Sequence, residues 1–572
     1  MKKFQSLDGY HVYRIKKDHK YFFLANRLNY KQEINHLFNT LDDIRYDSLI
    51  FIFGLDTGEY LNQLKKIICK NNKVIIFEPN KKIFLRYSKE LDDKIQLVYF
   101  DEKVMKIIFA ESINYKNINN VYFHSFGQYE TIYKKEYDVL IEHLNATLIN
   151  ASSQLSLAKR FKEVFLQNMI ANLKILNETT LIQSYYHRNL NVPALVISAG
   201  PSLDKNIQEM LLFRDKLKEY FIITGSRTVG TLVKQGIIPD MIVSVDPIDA
   251  NYDMMKDYLH LDVPLAFYEY SNRFLMKEYK GDKVYIPILL STTIESLSHL
   301  KGIYCGGSVS HSCIDIANMM GCSPIILVGQ DFAYTDQKHH AKSASFTFDK
   351  ELSQFLKLKV KDVFGNDILT SPTLDHFRRR LEEYIDLYQE SKRVEFINCS
   401  YGAKIKGASF KPLNEILEKE IIRVKKMSFQ EEKNVAIDSE VILDEIYQVI
   451  DYFLIKADQG IELSSEIISQ KQTKSLIEVE EDDIDLQKVL YMLTIINEFE
   501  NSLKARYLGG YLTEFLYDMK KDTFYMSAKD YNKLTSDLQH QANAFYVYFE
   551  KLKEMLHIAK ELISKTVIEF YE

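Results

Sequence analysis

Short apolar runs alternate with amphipathic stretches through most of this chain, and the alternation fades near residue 415. The first set of runs is "DSLIFIFG" (47–54), "KVIIFEP" (73–79), "IQLVYF" (95–100) and "NVYFHSF" (120–126), with helix-like "EKVMKIIFAES" (102–112) between the last two. Runs this short, nearly continuous in apolar residues and separated by helical periodicity, predict parallel strands covered on both faces. Residues 1–46 show no dominant period. The stretch 130–187 is long and helical in pattern, with no good strand. Strands resume with "ALVIS" (194–198), "YFIITGS" (220–226), "MIVSVDP" (241–247), "PLAFYEY" (264–270), "KVYIPILL" (283–290) and "PIILVGQDF" (324–332). Beyond 415 the pattern is helical: Ile442, Ile446, Val449 and Phe453 fall on one helix face.

The expected architecture is therefore α/β. A Rossmann-like parallel-sheet domain spans 1–135, a helical connector 136–187, a second Rossmann-like domain 188–415, and an all-helical region 416–572. At 572 residues several domains are expected. The formal net charge of −6 argues against a bulk nucleic-acid binder. Five cysteines, an odd number without CxxC spacing, argue against a disulfide framework or a zinc site. The start, "MKKFQSLDGYHVYRIKK", lacks an apolar signal core, and no apolar run reaches the length of a membrane span. The expectation is a soluble cytoplasmic protein with neither membrane nor nucleic-acid partner. The acidic run Glu478, Glu480, Glu481, Asp482, Asp483 and Asp485 reads as a solvated helix start.

Two glycine turns follow strands at places where a nucleotide could bind. In the first, Gly54-Leu-Asp-Thr-Gly58, with Glu78 ending the next strand, has the outline of a dinucleotide site. Asp56 would repel a phosphate there, so the turn reads as structural. The second, Ser198-Ala-Gly-Pro-Ser202, places a glycine without Cβ, a rigid proline and a capping serine at a helix start, where free N–H groups and the helix dipole suit an anion. A plain turn with a capping serine is the alternative. Later strands end in Thr224-Gly225-Ser226-Arg227, in Ser244-Val245-Asp246-Pro247 and in Gly329-Gln330-Asp331, and "CGGSVSH" (305–311) offers another glycine-serine helix start. Polar strand ends of this kind line the ligand crevice of parallel sheets. No Walker lysine, GxSxG elbow or HExxH motif is present. Asp246, Asp249 and Asp331 offer oxygen ligands, but no spacing demands a metal.

"ISAGPSLDKNI", "GIIPDMIVSVDP" and "ILVGQDFAYTDQKHHA" resemble core signatures of the motility-associated factor (Maf) family of flagellin glycosyltransferases. "VFGNDILTSP" (363–372) and "INCSYGAKIKGA" (397–408) add weaker matches, and Ser400-Tyr401-Gly402 departs from the glycine-richer, acidic turn usual there. The central domain of that family is in turn similar to bacterial sialyltransferases that use a cytidine-monophosphate sugar. The resemblance implies transfer of a sialic-acid-like nonulosonic sugar, of pseudaminic or legionaminic type, from a CMP-activated donor to Ser or Thr of flagellin, in support of flagellum assembly and motility. It implies no separate cofactor and leaves divalent metal open. Carried onto this sequence, donor binding falls to Ser198, Gly200, Pro201, Ser202, Ser226, Asp246, Gly307, Ser308 and Gly329, and Asp331 joins the catalytic set. The sialyltransferases' general-base histidine has no counterpart at Leu369-Thr370-Ser371-Pro372. His340, in a loop beyond a strand end, is the candidate base, with His311 and His376 behind it. The helical C-terminal region is a candidate dock for flagellin. Two alternatives are a pterin pyrophosphokinase-like enzyme using ATP and magnesium, since such a family shares this central domain, and a non-catalytic flagellin-binding chaperone.

Overall fold

The computed structural model describes residues 1–42, 44–45, 47–69, 71–88, 94–293, 297–300, 302–346, 358–389, 394–419, 438–470, 474–475, 479–480, 482–502, 504–523 and 537–572. The chain forms two compact units, each assembled from separate segments. The first comprises Met1–Lys162, Ile450–Ser502 and Gly509–Ile558, the second Glu163–Val449, Leu503–Leu508 and Ala559–Glu572. Residues 416–572 are thus distributed between both. They carry the helices Ser439–Ile468, Ile484–Asn501, Gly509–Thr523 and Leu538–Tyr571. The stripe Ile442, Ile446, Val449 and Phe453 is buried, as its spacing requires. Asp483, from the acidic run, caps the Ile484–Asn501 helix by accepting from the amides of Asp485 and Leu486; Glu478 and Glu481 lie outside the described residues.

In the first unit, β1 (Lys2–Gln5), β2 (His11–Lys17) and β3 (Lys20–Phe23) form an antiparallel sheet ahead of the helix Tyr30–Thr40. This segment carried no readable period because β1 and β3 bury little of their surface. A four-stranded parallel sheet follows, built of β4 (Leu49–Phe53), β5 (Lys73–Glu78), β6 (Ile95–Tyr99) and β7 (Val121–Ser125) in the order β6-β5-β4-β7. Every residue of β4 is buried, which is what a strand covered on both faces looks like in sequence. Asn80 and Asp101 cap the helices Lys81–Tyr87 and Glu102–Ser112 that follow β5 and β6.

The second unit is built on nine strands. These are β8 (Thr180–Leu181), β9 (Ala194–Ile197), β10 (Phe221–Gly225), β11 (Met241–Ser244), β12 (Leu265–Phe267), β13 (Lys283–Tyr285), β14 (Ile325–Val328), β17 (Phe396–Asn398) and β18 (Ser409–Phe410); β15 (Leu358–Lys361) and β16 (Asp367–Thr370) make a separate hairpin. The sheet is parallel throughout, in the order β18-β17-β14-β9-β10-β11-β12-β13-β8. The stretch expected to hold no strand therefore contributes β8, whose two residues are too few to leave a pattern. Alternate residues serve opposite faces. Ala194 and Val196 join Phe221, Ile223 and the helix Val309–Met319 on one side. Leu195 and Ile197 join Ile222, Ile326 and the helix Leu203–Leu212 on the other. Among the described residues no helix is long and apolar enough to cross a membrane.

Candidate functional site

The nine-stranded sheet changes its direction of winding at β9, which has β10 on one side and β14 on the other. Ligands of open α/β sheets bind outside the carboxyl ends of the strands at such a point. A cavity of about 330 Å³ opens there. The expected residues Ser198, Gly200, Ser226, Asp246, Ser308, Gly329, Asp331 and His340 all line it. Pro201, Ser202 and Gly307 are not part of its wall.

The Gly200-Pro201-Ser202 turn does not work as expected. The Gly200 amide donates to the Gly329 carbonyl at 2.8 Å. The Ser202 amide donates to Asp331 Oδ2 at 3.1 Å, and Ser202 Oγ to Asp331 Oδ1 at 2.5 Å. Pro201 has no N–H to give. The two amides assigned to a ligand's phosphate are thus held internally, and the Asp331 carboxylate occupies the anion position at the start of the Leu203–Leu212 helix. A Cβ on Gly200 would overlap that carboxylate and the Gly329 carbonyl, which is why glycine stands there. Ser202 makes no capping bond; its hydroxyl instead accepts from the Tyr401 amide at 2.7 Å. Ser400, in the segment that departs from the family pattern, accepts from the Gln330 amide at 2.6 Å. Asp331 also accepts from Thr335 Oγ1 at 2.6 Å. Burial raises its carboxyl pKa, while the bonds from Ser202 and Thr335 pull it back. Asp331, expected in the catalytic set, lines the cavity with its carboxylate oxygens bonded to Ser202 and Thr335.

Two other helix starts remain open to the cavity. Ser226–Lys234 begins directly after β10 with Gly225 as its cap, and Val309–Met319 begins after Ser308; neither has a side-chain cap bond. Their first turns supply Ser226, Arg227, Thr228, Val309 and Ser310 to the wall. They approach closely, since a Cβ on Gly225 would touch Val309. First-turn amides without a capping side chain are donors with positive potential, suited to a phosphate. Ser226 Oγ is buried and has no partner among the described residues. Asp246 is an exposed side chain at the cavity's edge, with protein atoms crowding around its carboxyl group. That crowding raises its carboxyl pKa, and the Arg227 guanidinium opposes the rise. Asn251 steadies the strand end beside it by donating to Ser244 Oγ at 2.7 Å and to the Asp246 carbonyl at 3.2 Å.

The far wall carries His339 and His340, exposed and half-buried respectively, with ring centroids 4.2 Å apart. Their loop is anchored beyond them. The Ala341 amide donates to the Ala199 carbonyl at 2.9 Å, and Asp204 accepts from the amides of Lys342 and Ser343. Ser371 and Thr373 also line the cavity, from the region where the sialyltransferase histidine would stand. Sequence reasoning did not assign Arg227, Asn251, His339, Ser371 or Thr373. Arg227 had a usable signal, being adjacent to an assigned strand-end serine. His311 is fully buried against Tyr304, Phe332 and Phe377, outside the cavity wall; burial lowers its pKa to about 4. His376 is also absent from the wall. All five cysteines are free. Among the described residues no group of three or more His, Cys, Asp or Glu is placed to hold a metal ion.

The other glycine turn, in the first unit, is filled by its own protein. A Cβ on Gly54 would overlap the Tyr129 ring. Glu78, the would-be ribose ligand, is fully buried and accepts from the Leu55 amide at 2.9 Å, the Asn80 amide at 2.7 Å and Tyr129 OH at 2.8 Å. Asp56 is buried too and accepts from the Tyr13 amide at 2.9 Å.

Comparison with known proteins adds two findings. A family model described as 6-hydroxymethylpterin diphosphokinase MptE-like matches residues 163–337. A solved Maf glycosyltransferase from Magnetospirillum magneticum AMB-1 is similar over 98% of this chain and 92% of that one, with a TM-score of 0.57 and 11% sequence identity. At that identity the likeness is one of fold. No curated protein matches.

Proposed function

We propose that this chain is a glycosyltransferase that moves a sialic-acid-like nonulosonic sugar from a CMP-activated donor to Ser or Thr hydroxyls of flagellin. The observation that carries the reading is the cavity at the β9 switch point. It joins two uncapped helix starts, the Asp246 strand end and a histidine-bearing loop around a volume of about 330 Å³. The fold likeness to a Maf glycosyltransferase supports it. In the reaction the bond from the sugar's anomeric carbon to the phosphate oxygen breaks, and a bond from that carbon to the acceptor hydroxyl oxygen forms. Charge grows on the departing CMP phosphate, and donors already aimed at it lower the barrier. The first turns of the Ser226 and Val309 helices are those donors, in place of the Gly200 turn. His340 takes the acceptor's proton. Asp331 holds the loops in register without touching the reacting atoms. The protein is cytoplasmic in this reading, and its helical C-terminal region receives flagellin.

The test is direct. Purified chain, CMP-activated nonulosonic acid and flagellin are combined, and intact mass is read. A rise by whole sugar residues is expected, and an unchanged mass defeats the transferase reading. The MptE-like match over 163–337 favours a second reading, an ATP- and magnesium-dependent pyrophosphokinase with Asp246 near the ion. Thermal stabilisation separates them: CMP alone supports the first, ATP with magnesium the second, and neither points to a non-catalytic flagellin chaperone.

A further inference from the structure

We infer that Arg227 is the residue that distinguishes a phosphate-bearing nucleotide from its bare nucleoside, gripping the phosphate together with Ser226 and the first turn of the Ser226–Lys234 helix. The inference rests on the reading of this cavity as a nucleotide site and assigns the part of it that holds the anion.

Four observations converge on this turn. The Gly200 turn is closed to an outside anion by the Asp331 carboxylate, so a phosphate must be held elsewhere on the wall. Arg227 is the second residue of a nine-residue helix that has no side-chain cap. Immediately before it, Ser226 Oγ is buried, lines the cavity and lacks a partner among the described residues. Such a hydroxyl is costly unless something entering the cavity satisfies it. Finally, Arg227 is the one Lys or Arg among the described lining residues. A planar fork beside a helix N-terminus and a serine hydroxyl suits a phosphate monoester's oxygens.

The arginine is positioned by the segment that follows the histidine loop. Its Nη1 lies 3.4 Å from the Ala344 carbonyl, and its guanidinium carbon stands 5.4 Å from the centre of the Phe346 ring. One helical turn on, Thr231 Oγ1 donates to the Ser343 carbonyl at 2.7 Å. These contacts tie the helix to the end of the loop that carries His339 and His340. The phosphate grip and the candidate base are therefore fixed to one another. Asp246 supplies the opposing charge, which disfavours an anion placed away from the arginine.

The experiment titrates CMP and cytidine calorimetrically into the full chain, as wild type, Arg227→Gln, Arg227→Lys and Ser226→Ala. ATP with magnesium and adenosine form a parallel pair. Arg227→Gln should weaken the phosphorylated ligand about 10- to 100-fold and its nucleoside less than about threefold. Arg227→Lys should keep part of the difference, as a point charge without the fork. Ser226→Ala should lower affinity for the phosphorylated ligand alone by about 3- to 10-fold, and it carries the same test should Arg227→Gln not fold. Equal loss for nucleotide and nucleoside would mark Arg227 as merely structural and overturn the inference. So would an unchanged ratio. If wild type takes ATP in preference to CMP and the ratio still collapses in Arg227→Gln, the cytidylate reading fails while the arginine's role stands. Binding of neither nucleotide overturns both.

Discussion

The two parallel sheets pose the same local problem and solve it in opposite ways. In each, the first central strand ends in a glycine turn, and the strand on its far side sends a side chain back onto that glycine. After β7 that side chain is Tyr129, whose ring lies on Gly54; after β14 it is Asp331, whose carboxylate lies on Gly200. Capping does not set the two apart: the helix after the Gly54 turn, Leu61–Ile67, has no side-chain cap, and neither have those starting at Ser226 and Val309. The Tyr129 ring covers Gly54, and Glu78 accepts from the amides of Leu55 and Asn80. A carboxylate binds the turn beneath it and the Thr335 hydroxyl, and leaves room alongside, over β10 and β11. What separates the open turn from the filled one is thus less its glycine than the size of what arrives from the opposite strand.

The largest effect should come from chemistry present at one turn and absent from the other. His340→Ala is expected to lower the transfer rate by roughly 100- to 10,000-fold, the range of a lost general base, while CMP still raises the melting temperature. Glu78→Gln, in the closed turn, should leave transfer unchanged. Rate and stabilisation measured on the same two variants decide it: transfer retained in His340→Ala removes that residue as the base, and transfer lost in Glu78→Gln breaks the assignment of chemistry to one sheet.

Next in size is the cost of emptying each turn. Tyr129→Ala removes a buried ring and the hydroxyl that bridges Glu78 and the Asp56 amide, so a loss of about 3–5 kcal/mol is expected in denaturant unfolding. Asp331→Asn removes charge but little volume, turning an amide group toward Ser202 donors, and should cost about 1–3 kcal/mol. If Asp331→Asn proves as damaging as Tyr129→Ala, the carboxylate is more than a local brace and the contrast between the turns is overstated.

The pattern of apolar runs was enough to locate both sheets, because β4, β5, β9, β10, β11 and β14 are buried on both faces and say so residue by residue. It was silent on β8 and on β1 to β3, which are too short or too exposed to show a period. At the site, most strand-end residues were legible, since the position at a carboxyl end already implies the crevice. What could not be read was who satisfies whom. The Gly-Pro-Ser turn looks open in sequence, and only the fold brings Asp331 from 129 residues away to close it. Tyr129, 73 residues from Asp56, is likewise invisible as the plug of the first turn. Arg227 was in view but carried no role until the helix start around it proved uncapped.

The smallest effect is one of slope against pH, and it separates two buried groups, one in each unit, by sign. Burial raises the Glu78 carboxyl to about 8, above the ordinary glutamate value of 4.5. The folded state then holds a proton that the unfolded state releases. Its contribution is complete below about pH 4.5 and is lost as pH rises through about 8. In the second unit, His311 behaves inversely: burial lowers it from 6.5 to about 4, so its contribution is complete above 6.5 and is lost as pH falls through about 4. Each group can change stability by at most about 1.4 kcal/mol per pH unit. Unfolding free energies from pH 4 to 9 should therefore give a wild-type-minus-Glu78→Gln difference that falls with rising pH, by roughly this slope between 5 and 8. The wild-type-minus-His311→Leu difference should rise over the acid half of the range. Differences of the same sign would mean that Glu78 is held ionised by its three donors, and the first turn would then be a buried anion site in its own right rather than a closed one.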